Sequence, residues 1–592
     1  MNKTFSYPFS FTEILKEKKV ILNKIKEIKE KKSEHEFRKL KIAILNGSSS
    51  EEISNFLQLF LFQHNIIVDI YNSNYNDFYE EAVFENKSLK EFKPDIIYLH
   101  TNFYNINMNS DINNNIHLFK RAWKSLSSNY NNIPIIQNNF ELPNYRIYGN
   151  LDSSYPEAES FKVLELNRLF AVESQNISNL HINDINYLSS SIGLNNWFND
   201  NIWNTGKYFL DFKYIPELCN SITSIILSIL GKNKKGLILD LDNTLWGGVI
   251  GDDLIEGIKL GQGNAISESF SKFQLYLKKI SNRGIIINIA SKNDMENALL
   301  GLSHPESLLS KKDFNIIKAN WLNKDINIHD IAKKTNIAEN SLVFIDDNPV
   351  ERENISSNTE VEVPDIGDNI VEYFKYIDRN MFFNTISVTK EDLIKKELYK
   401  IKNLAEEQEE QFEDYDTFLK SLNMKTNISF PNSNNIERIE QLINKTNQFN
   451  LTNKKFTQEE LHNFLKSDEY IILNFGLSDK FGNHGLVSNI ICKIENNQIS
   501  IISWVMSCRV FKRTLENFIL NTIADIAKDI QSTEIIGIYF NSGRNKYVSS
   551  LYTDLGFKEV SNKTNIPNIQ HYILDVSSYK NGYDIIGKDI DE

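Results

Sequence analysis

Two apolar rhythms alternate along the chain. KIAIL (41–45), IIVDIY (66–71), DIIYLH (95–100) and PIIQ (134–137) are short apolar runs with helical stretches between them. Runs of this length bounded by polar turn formers read as strands. Strands alternating with helices predict a parallel, doubly wound sheet over 39–230. The rhythm resumes near Lys232 with GLILDLD (236–242), GIIINIASKND (284–294) and SLVFIDDNPVERE (341–353), and with a helix over 266–282. These predict a second α/β domain over 232–380. A third pattern, over 395–580, has IILNFGL (471–477), LVSNIICKI (486–494) and ISIISWVM (499–506) as consecutive strands. An amphipathic helix (511–530) and the strands EIIGIYF (534–540) and HYILDV (571–576) follow, an α+β order. Ahead of them all, Ile21, Leu22, Ile25 and Ile28 recur at helical spacing inside a stretch (12–41) with eleven Lys or Arg. Residues 1–38 therefore read as a basic amphipathic helix, either packed on its own domain or offered to an acidic partner or a membrane surface. Glu406–Asp414 reads as a solvated acidic linker helix.

Composition narrows the classes. At roughly 150 residues per domain, 592 residues make about three or four domains. Hydrophobic residues are 41% and charged residues 24%, ordinary globular usage. The formal charge of −13 disfavours nucleic acid as a partner. Cys219, Cys492 and Cys508 are too far apart for a disulfide framework or a CxxC metal site. No apolar run is long enough to span a membrane, and Ile222–Leu230 reads as a buried helix. The N-terminus lacks a secretory layout, so the expected compartment is the cytoplasm.

Chemistry concentrates where strands end. Asp240 and Asp242 close one strand, and residues two apart share a face if the backbone stays extended. Asp346 and Asp347 close another. Like charges gathered this way call for a cation, and four carboxylates predict a hard divalent ion, Mg²⁺. Such a cluster suits phosphoryl chemistry: one aspartate attacks phosphorus, a second protonates the leaving oxygen and then activates water. Ser291 can hold a phosphate oxygen, and Lys324 can supply a cation at a helix start, with Lys318 as its rival. Ser48–Ser50 follow the first strand, where open α/β sheets bind ligands; they serve as a hydrolase nucleophile or as a helix cap.

The stretch LILDLDNTLWGGVIGDDLIEGIKLG (237–261), followed in order by SKND, NWLNK and VFIDDNPVERE, resembles the FkbH-like branch of the haloacid-dehalogenase (HAD) superfamily. The resemblance implies an SGNH-like (flavodoxin-like) α/β region, a HAD-like core and a C-terminal region similar to GNAT acyltransferases. It implies Asp240 as nucleophile and metal ligand, Asp242 as general acid/base and ligand through its carbonyl, and Thr244 as a shaper of the turn. Ser291 and Lys324 would hold the phosphoryl group, and Asp346 and Asp347 would complete the Mg²⁺ site. The implied activity loads a glyceryl unit from 1,3-bisphosphoglycerate onto an acyl carrier protein and removes the remaining phosphate, in polyketide or related biosynthesis. Many relatives have a cysteine just before the SKN serine; here it is Ala290. That departure keeps a second reading open, a small-molecule phosphatase fused to an acyltransferase for another acceptor. A third is a degenerate scaffold that recruits carriers.

The C-terminal stretch SWVMSCRVFKRTLENF (503–518) supplies further candidates. Arg509, Lys512 and Thr514 stand where a GNAT phosphate loop is expected, without its glycines. Cys508, among cations at a helix start, is a candidate acyl carrier. Arg509, Lys512 and Arg513 are candidates for gripping a pantetheine phosphate or docking a carrier protein. His484 is a candidate base, and Glu516 acts beside it or pairs with Arg513. Asn545, Tyr552 and Gly556 resemble a later GNAT element.

Overall fold

The computed structural model describes residues 3–31, 37–84, 86–388, 414–432, 435–446, 448–495, 497–507, 510–543, 545–560 and 568–588. The acidic stretch Glu406–Asp414, apart from its last residue, and Cys508 and Arg509 lie outside them.

Three sheets carry the chain. In the first, β1 (Arg38–Asn46), β2 (Ile66–Asn72), β3 (Ile96–His100), β4 (Ile135–Asn138) and β5 (Leu180–Asn183) pair in parallel in the order β2-β1-β3-β4-β5. That order is flavodoxin-like. Strands buried on both faces read as near-continuous apolar runs, which is why KIAIL and IIYLH were legible. Ile42 and Ile44 pack to one face, and Ala43 and Leu45 to the other. The short β5 escaped the sequence reading because LHIN offers too little apolar length. The basic helix Phe11–Lys31 buries Ile14, Ile21 and Ile25 in the core of this same sheet, so it packs on its own domain. The helix Ile215–Ile229 buries its apolar face there too.

The second sheet has the order β8-β7-β6-β9, from β6 (Gly236–Leu239), β7 (Ile286–Ser291), β8 (Ile317–Ala319) and β9 (Leu342–Ile345). β6 ends before its carboxylates, earlier than GLILDLD suggested. Between β6 and the helix Ala265–Asn282 only the short helix Ile250–Gly257 intervenes, closed off by an antiparallel Gly247–Lys259 bridge.

The third sheet contains β10 (Lys425–Ser429), β11 (Tyr470–Asp479), β12 (Gly482–Glu495), β13 (Gln498–Met506), β14 (Glu534–Phe540), β15 (Lys558–Val560), β16 (Ile569–Asp575) and β17 (Gly587–Lys588). Its order is β15-β16-β14-β13-β12-β11-β10-β17. β10 to β13 are antiparallel neighbours, whereas β13 and β14 are parallel over Gln498–Ile501 and Glu534–Gly537 only. Beyond Ile501 the segment Phe449–Thr452 takes up the strands' free edges. Leu451 N–H donates to Trp504 O at 3.3 Å, Met506 N–H to Phe449 O at 3.1 Å, and Phe540 N–H to Leu451 O at 2.8 Å. No local periodicity marked this segment as a strand partner.

Candidate functional site

Asp240, Asp346 and Asp347 each offer a carboxylate oxygen, and these atoms lie within 4.8 Å of one another. Oxygen-only donors at this spacing fit a hard divalent cation. Lys324 begins the helix Lys324–Thr335, and its ammonium lies 3.1 Å from Asp240 Oδ1, both side chains nearly buried. The rival cation, Lys318, is paired with Asp330 instead. Ser291 is buried as the last residue of β7, and Thr244 is buried in the turn after Asp242.

Asp242 corrects the expectation of four side chains converging. The backbone leaves the strand after Leu239 and coils: Thr244 N–H and Leu245 N–H both donate to Leu241 O, and Asn243 is left-handed at φ 55°. The Asp242 carboxylate therefore faces its own set of donors and is not part of the aspartate cluster. It accepts from Trp246 Nε1 at 2.9 Å, Ile250 N–H at 3.1 Å and Asn293 Nδ2 at 3.0 Å. Burial pushes its carboxyl above the usual range, and the nearby Asp240 charge adds to that, while the bonds from Ile250 and Trp246 pull it back. Two neighbouring carboxyls thus have separate surroundings, one beside an ammonium and one in a polar cradle, the pattern that divides nucleophile from acid. Trp246 and Asn293 were not singled out by the sequence reading, although both stand inside the motifs it used.

Arg352 was missed as well. It donates through Nη1 to the carbonyls of Asp346 (2.9 Å) and Asp347 (2.7 Å), and through Nη2 to Asp365 Oδ1 at 2.7 Å. It holds the aspartate turn from behind, and Asn348 N–H donates to Asp346 Oδ1 at 2.9 Å. Ala290 is fully buried within β7 and offers no thiol.

In the third sheet His484 has found partners that the sequence did not name. His484 Nε2 lies 2.8 Å from Asp479 Oδ2 and 3.2 Å from Arg513 Nη1, and Arg513 is ion-paired with Asp479. Burial alone would raise the Asp479 carboxyl, but the His484 hydrogen bond and the Arg513 charge outweigh it and hold it at about 2. Arg513 is therefore a buried structural cation, which corrects its expected docking role, and it pairs with Asp479 rather than with Glu516. Burial pushes the Glu516 carboxyl up. Lys512 stays exposed. Lys512 and Thr514 hold left-handed backbone, φ 62° and 59°, so the positions expected for glycine keep a glycine-like conformation. That turn delays the helix to Leu515–Asp529. Tyr552 is core, not surface: it is 1% exposed and packs on Gly537, where an added Cβ would come within 2.6 Å of its ring. Asn545 is buried, its Nδ2 donating to Asn450 O and Phe540 O, both at 2.8 Å.

Of the serines after β1, Ser50 stands at the helix cap position without its hydroxyl accepting a capping hydrogen bond; the hydroxyl donates to Asn72 Oδ1 instead. The capping reading is corrected on that point.

Residues 41–227 match the family model of the FkbH N-terminal domain. This part of the chain resembles FkbH N-terminal domains. Among solved structures, the N-terminal part of the protein BF1531 from Bacteroides fragilis, containing a phosphatase domain complexed with Mg, is 28% identical, with a TM-score of 0.56. That similarity covers 59% of this chain and 95% of that one. The ribosomal-protein-S18-alanine N-acetyltransferase from Escherichia coli is 13% identical over 27% of this chain and 99% of its own, TM-score 0.21. The spermidine N-acetyltransferase from Vibrio cholerae, in complex with CoA and spermine, is 14% identical over 26% of this chain and 96% of its own, TM-score 0.22. Comparison with curated proteins gives no match. Among the described residues, no helix is long and apolar enough to cross a membrane.

Proposed function

We propose that this FkbH-like chain is a magnesium-dependent enzyme that transfers a glyceryl unit from 1,3-bisphosphoglycerate to the phosphopantetheine thiol of an acyl carrier protein and removes the remaining phosphate. Such a product feeds polyketide or related natural-product assembly. The observation that carries the reading is the carboxylate cluster of Asp240, Asp346 and Asp347 with Lys324 at 3.1 Å from the nucleophile. The neighbouring phosphatase complexed with Mg supports the choice of ion. Bound to Asp240, Asp346 and Asp347, Mg²⁺ would offset the charge of a phosphoryl group.

The residues divide the work. Asp240 attacks phosphorus and forms an aspartyl-phosphate as the alcohol leaves. Asp242, fixed by Trp246 and Asn293, gives its proton to the leaving oxygen and takes one back from the attacking water. Lys324 and Ser291 steady the phosphoryl oxygens. With Ala290 at the expected thiol position, the glyceryl group passes directly to the carrier thiol: sulfur bonds the acyl carbon, the acyl-phosphate C–O bond breaks, and the proton and phosphate depart. That same alanine is what favours the second reading, a small-molecule phosphatase with an acyltransferase for another acceptor.

Intact-mass spectrometry of carriers incubated with the protein, Mg²⁺ and 1,3-bisphosphoglycerate tests this. Carriers gain the glyceryl mass, and Asp240→Asn leaves the phosphate on it. Free phosphate without any carrier adduct would replace this reading by the second. Lys512, exposed at the turn, is the docking cation left there among the described residues after Arg513, so Lys512→Glu raises the apparent KM for the carrier several-fold with kcat kept. An unchanged KM removes Lys512 from the docking surface.

A further inference from the structure

Buried polar groups outside the aspartate cluster gather at the carboxyl ends of β1, β3 and β4. The sheet order reverses between β1 and β3, the point where open α/β sheets bind ligands. Ser48 follows β1, Asn102 follows β3 and Glu141 follows β4, and each is 0% exposed. Among the described residues, Ser48 Oγ, Asn102 Nδ2 and Glu141 Oε1 have no hydrogen-bond partner, nor has Asn46 Oδ1 at the end of β1. Buried polar atoms are almost always satisfied, so four orphans around one set of strand ends require an explanation.

Hydrogen bonds tie these positions into one neighbourhood. Gly47 N–H donates to His100 O at 2.9 Å, and Asn105 Nδ2 to Gly47 O at 3.0 Å. Asn102 N–H donates to Asn105 Oδ1 at 3.0 Å, and Phe103 N–H to Glu141 Oε2 at 3.4 Å. The Asn102 side-chain oxygen is engaged by Tyr104 N–H, so its amide nitrogen is the free end. Tyr104 and Trp203 stack face to face, 3.8 Å apart and 10° from parallel. Lys207, which follows the helix bearing Trp203, accepts a bond from Ser49 N–H at 3.0 Å. The stacked pair is thus joined on one side to Asn102 and on the other to the loop of Ser48.

The donor inventory selects the ligand. Ser48 and Asn102 offer donors; burial pushes the Glu141 carboxyl up to about 8, so at neutral pH it keeps a proton and offers a third. Asn46 Oδ1 accepts. Three donors with one acceptor match a carboxylate or acyl carbonyl that bears a neighbouring hydroxyl. We propose that the N-terminal domain holds a second site, bounded by the Tyr104–Trp203 stack, for a small 2-hydroxy carboxylate or acyl group. The choice of a glyceryl occupant rests on the proposed glyceryl transfer; the site itself does not.

The test uses the full-length Asp240→Asn protein in EDTA, which silences the aspartate cluster, with D-glycerate as the probe. Saturation-transfer NMR is expected to show glycerate contact. Asn102→Asp, which keeps the oxygen used by Tyr104 but turns the free donor into a charge, should weaken the dissociation constant at least tenfold. Ser48→Ala, a one-atom deletion that spares the fold, should weaken it several-fold. No transfer, or equal affinity in both variants, overturns the site and leaves the orphans to water alone. Carrier loading by the unmodified protein is scored separately: binding without loading sinks the glyceryl-transfer reading and keeps the site, and loading without binding does the opposite.

Discussion

At Glu141, burial outweighs the backbone hydrogen bonds that favour the charged carboxylate. Its carboxyl is pushed up to about 8. The sign follows from linkage. A carboxyl raised in the folded state contributes stability that is complete below the unfolded value of about 4.5 and is lost as pH rises through about 8. Glu141→Gln keeps a neutral side chain at every pH, so its unfolding midpoint relative to wild type should rise between pH 5 and pH 8.5. Urea midpoints at the two pH values measure this, and a constant difference would place the carboxyl at its ordinary value. Asp242 is pushed up by burial as well, and the bonds from Ile250 and Trp246 temper the shift.

At the scale of elements, the turn into the helix Leu515–Asp529 stores strain. Lys512 and Thr514 are left-handed without being glycine, a conformation that costs about 1 kcal/mol or more per residue. The Asp479–Arg513 ion pair and the His484 contact lie in the residue between them, so a buried network holds the turn in place. Lys512→Gly should match or raise the stability of the C-terminal domain, and Lys512→Val should lower that stability by about 1–2 kcal/mol. Chemical denaturation followed by circular dichroism reads both, and the reverse order would mean that the turn is relaxed. The segment Phe449–Thr452 is the other element-scale device: it completes the diverging edges of β13 and β14, whose backbone groups would otherwise be buried unpaired.

Across the whole molecule, the separate apolar clusters of the first and third sheets argue against a single unfolding transition. A ligand stabilises only the part that binds it. Mg²⁺ at a hundred times its dissociation constant should add about 2.7 kcal/mol to the transition containing Asp240, Asp346 and Asp347. Scanning calorimetry should show that transition alone moving, and Asp346→Ala should abolish the movement. A uniform shift of every transition would instead indicate a general salt effect.

The strands and the order of the chemistry were legible in the sequence. Residues that must be buried on both faces of a parallel sheet announce themselves as apolar runs, and the ends of those runs located Asp240, Ser291, Asp346 and Asp347. Lys324 was legible from its helix start, though only geometry separated it from Lys318. The brief strands β5, β8 and β10 were not legible, because a few half-buried residues leave no period to detect. Nor was the direction of a side chain: the Asp242 carboxylate turns away from the cluster because the chain coils immediately after Leu239. Arg513 and Asp479, 34 residues apart, look like two surface charges in sequence and are a buried pair in the fold. The four orphaned polar atoms around Ser48 depend on which strand ends become neighbours. Sequence alone determined where the long apolar strands lie and which residues follow them, since periodicity and turn chemistry are local. Tertiary structure alone decided which of those residues are buried, paired or left with free valence, since desolvation and hydrogen bonding depend on neighbours brought from far along the chain.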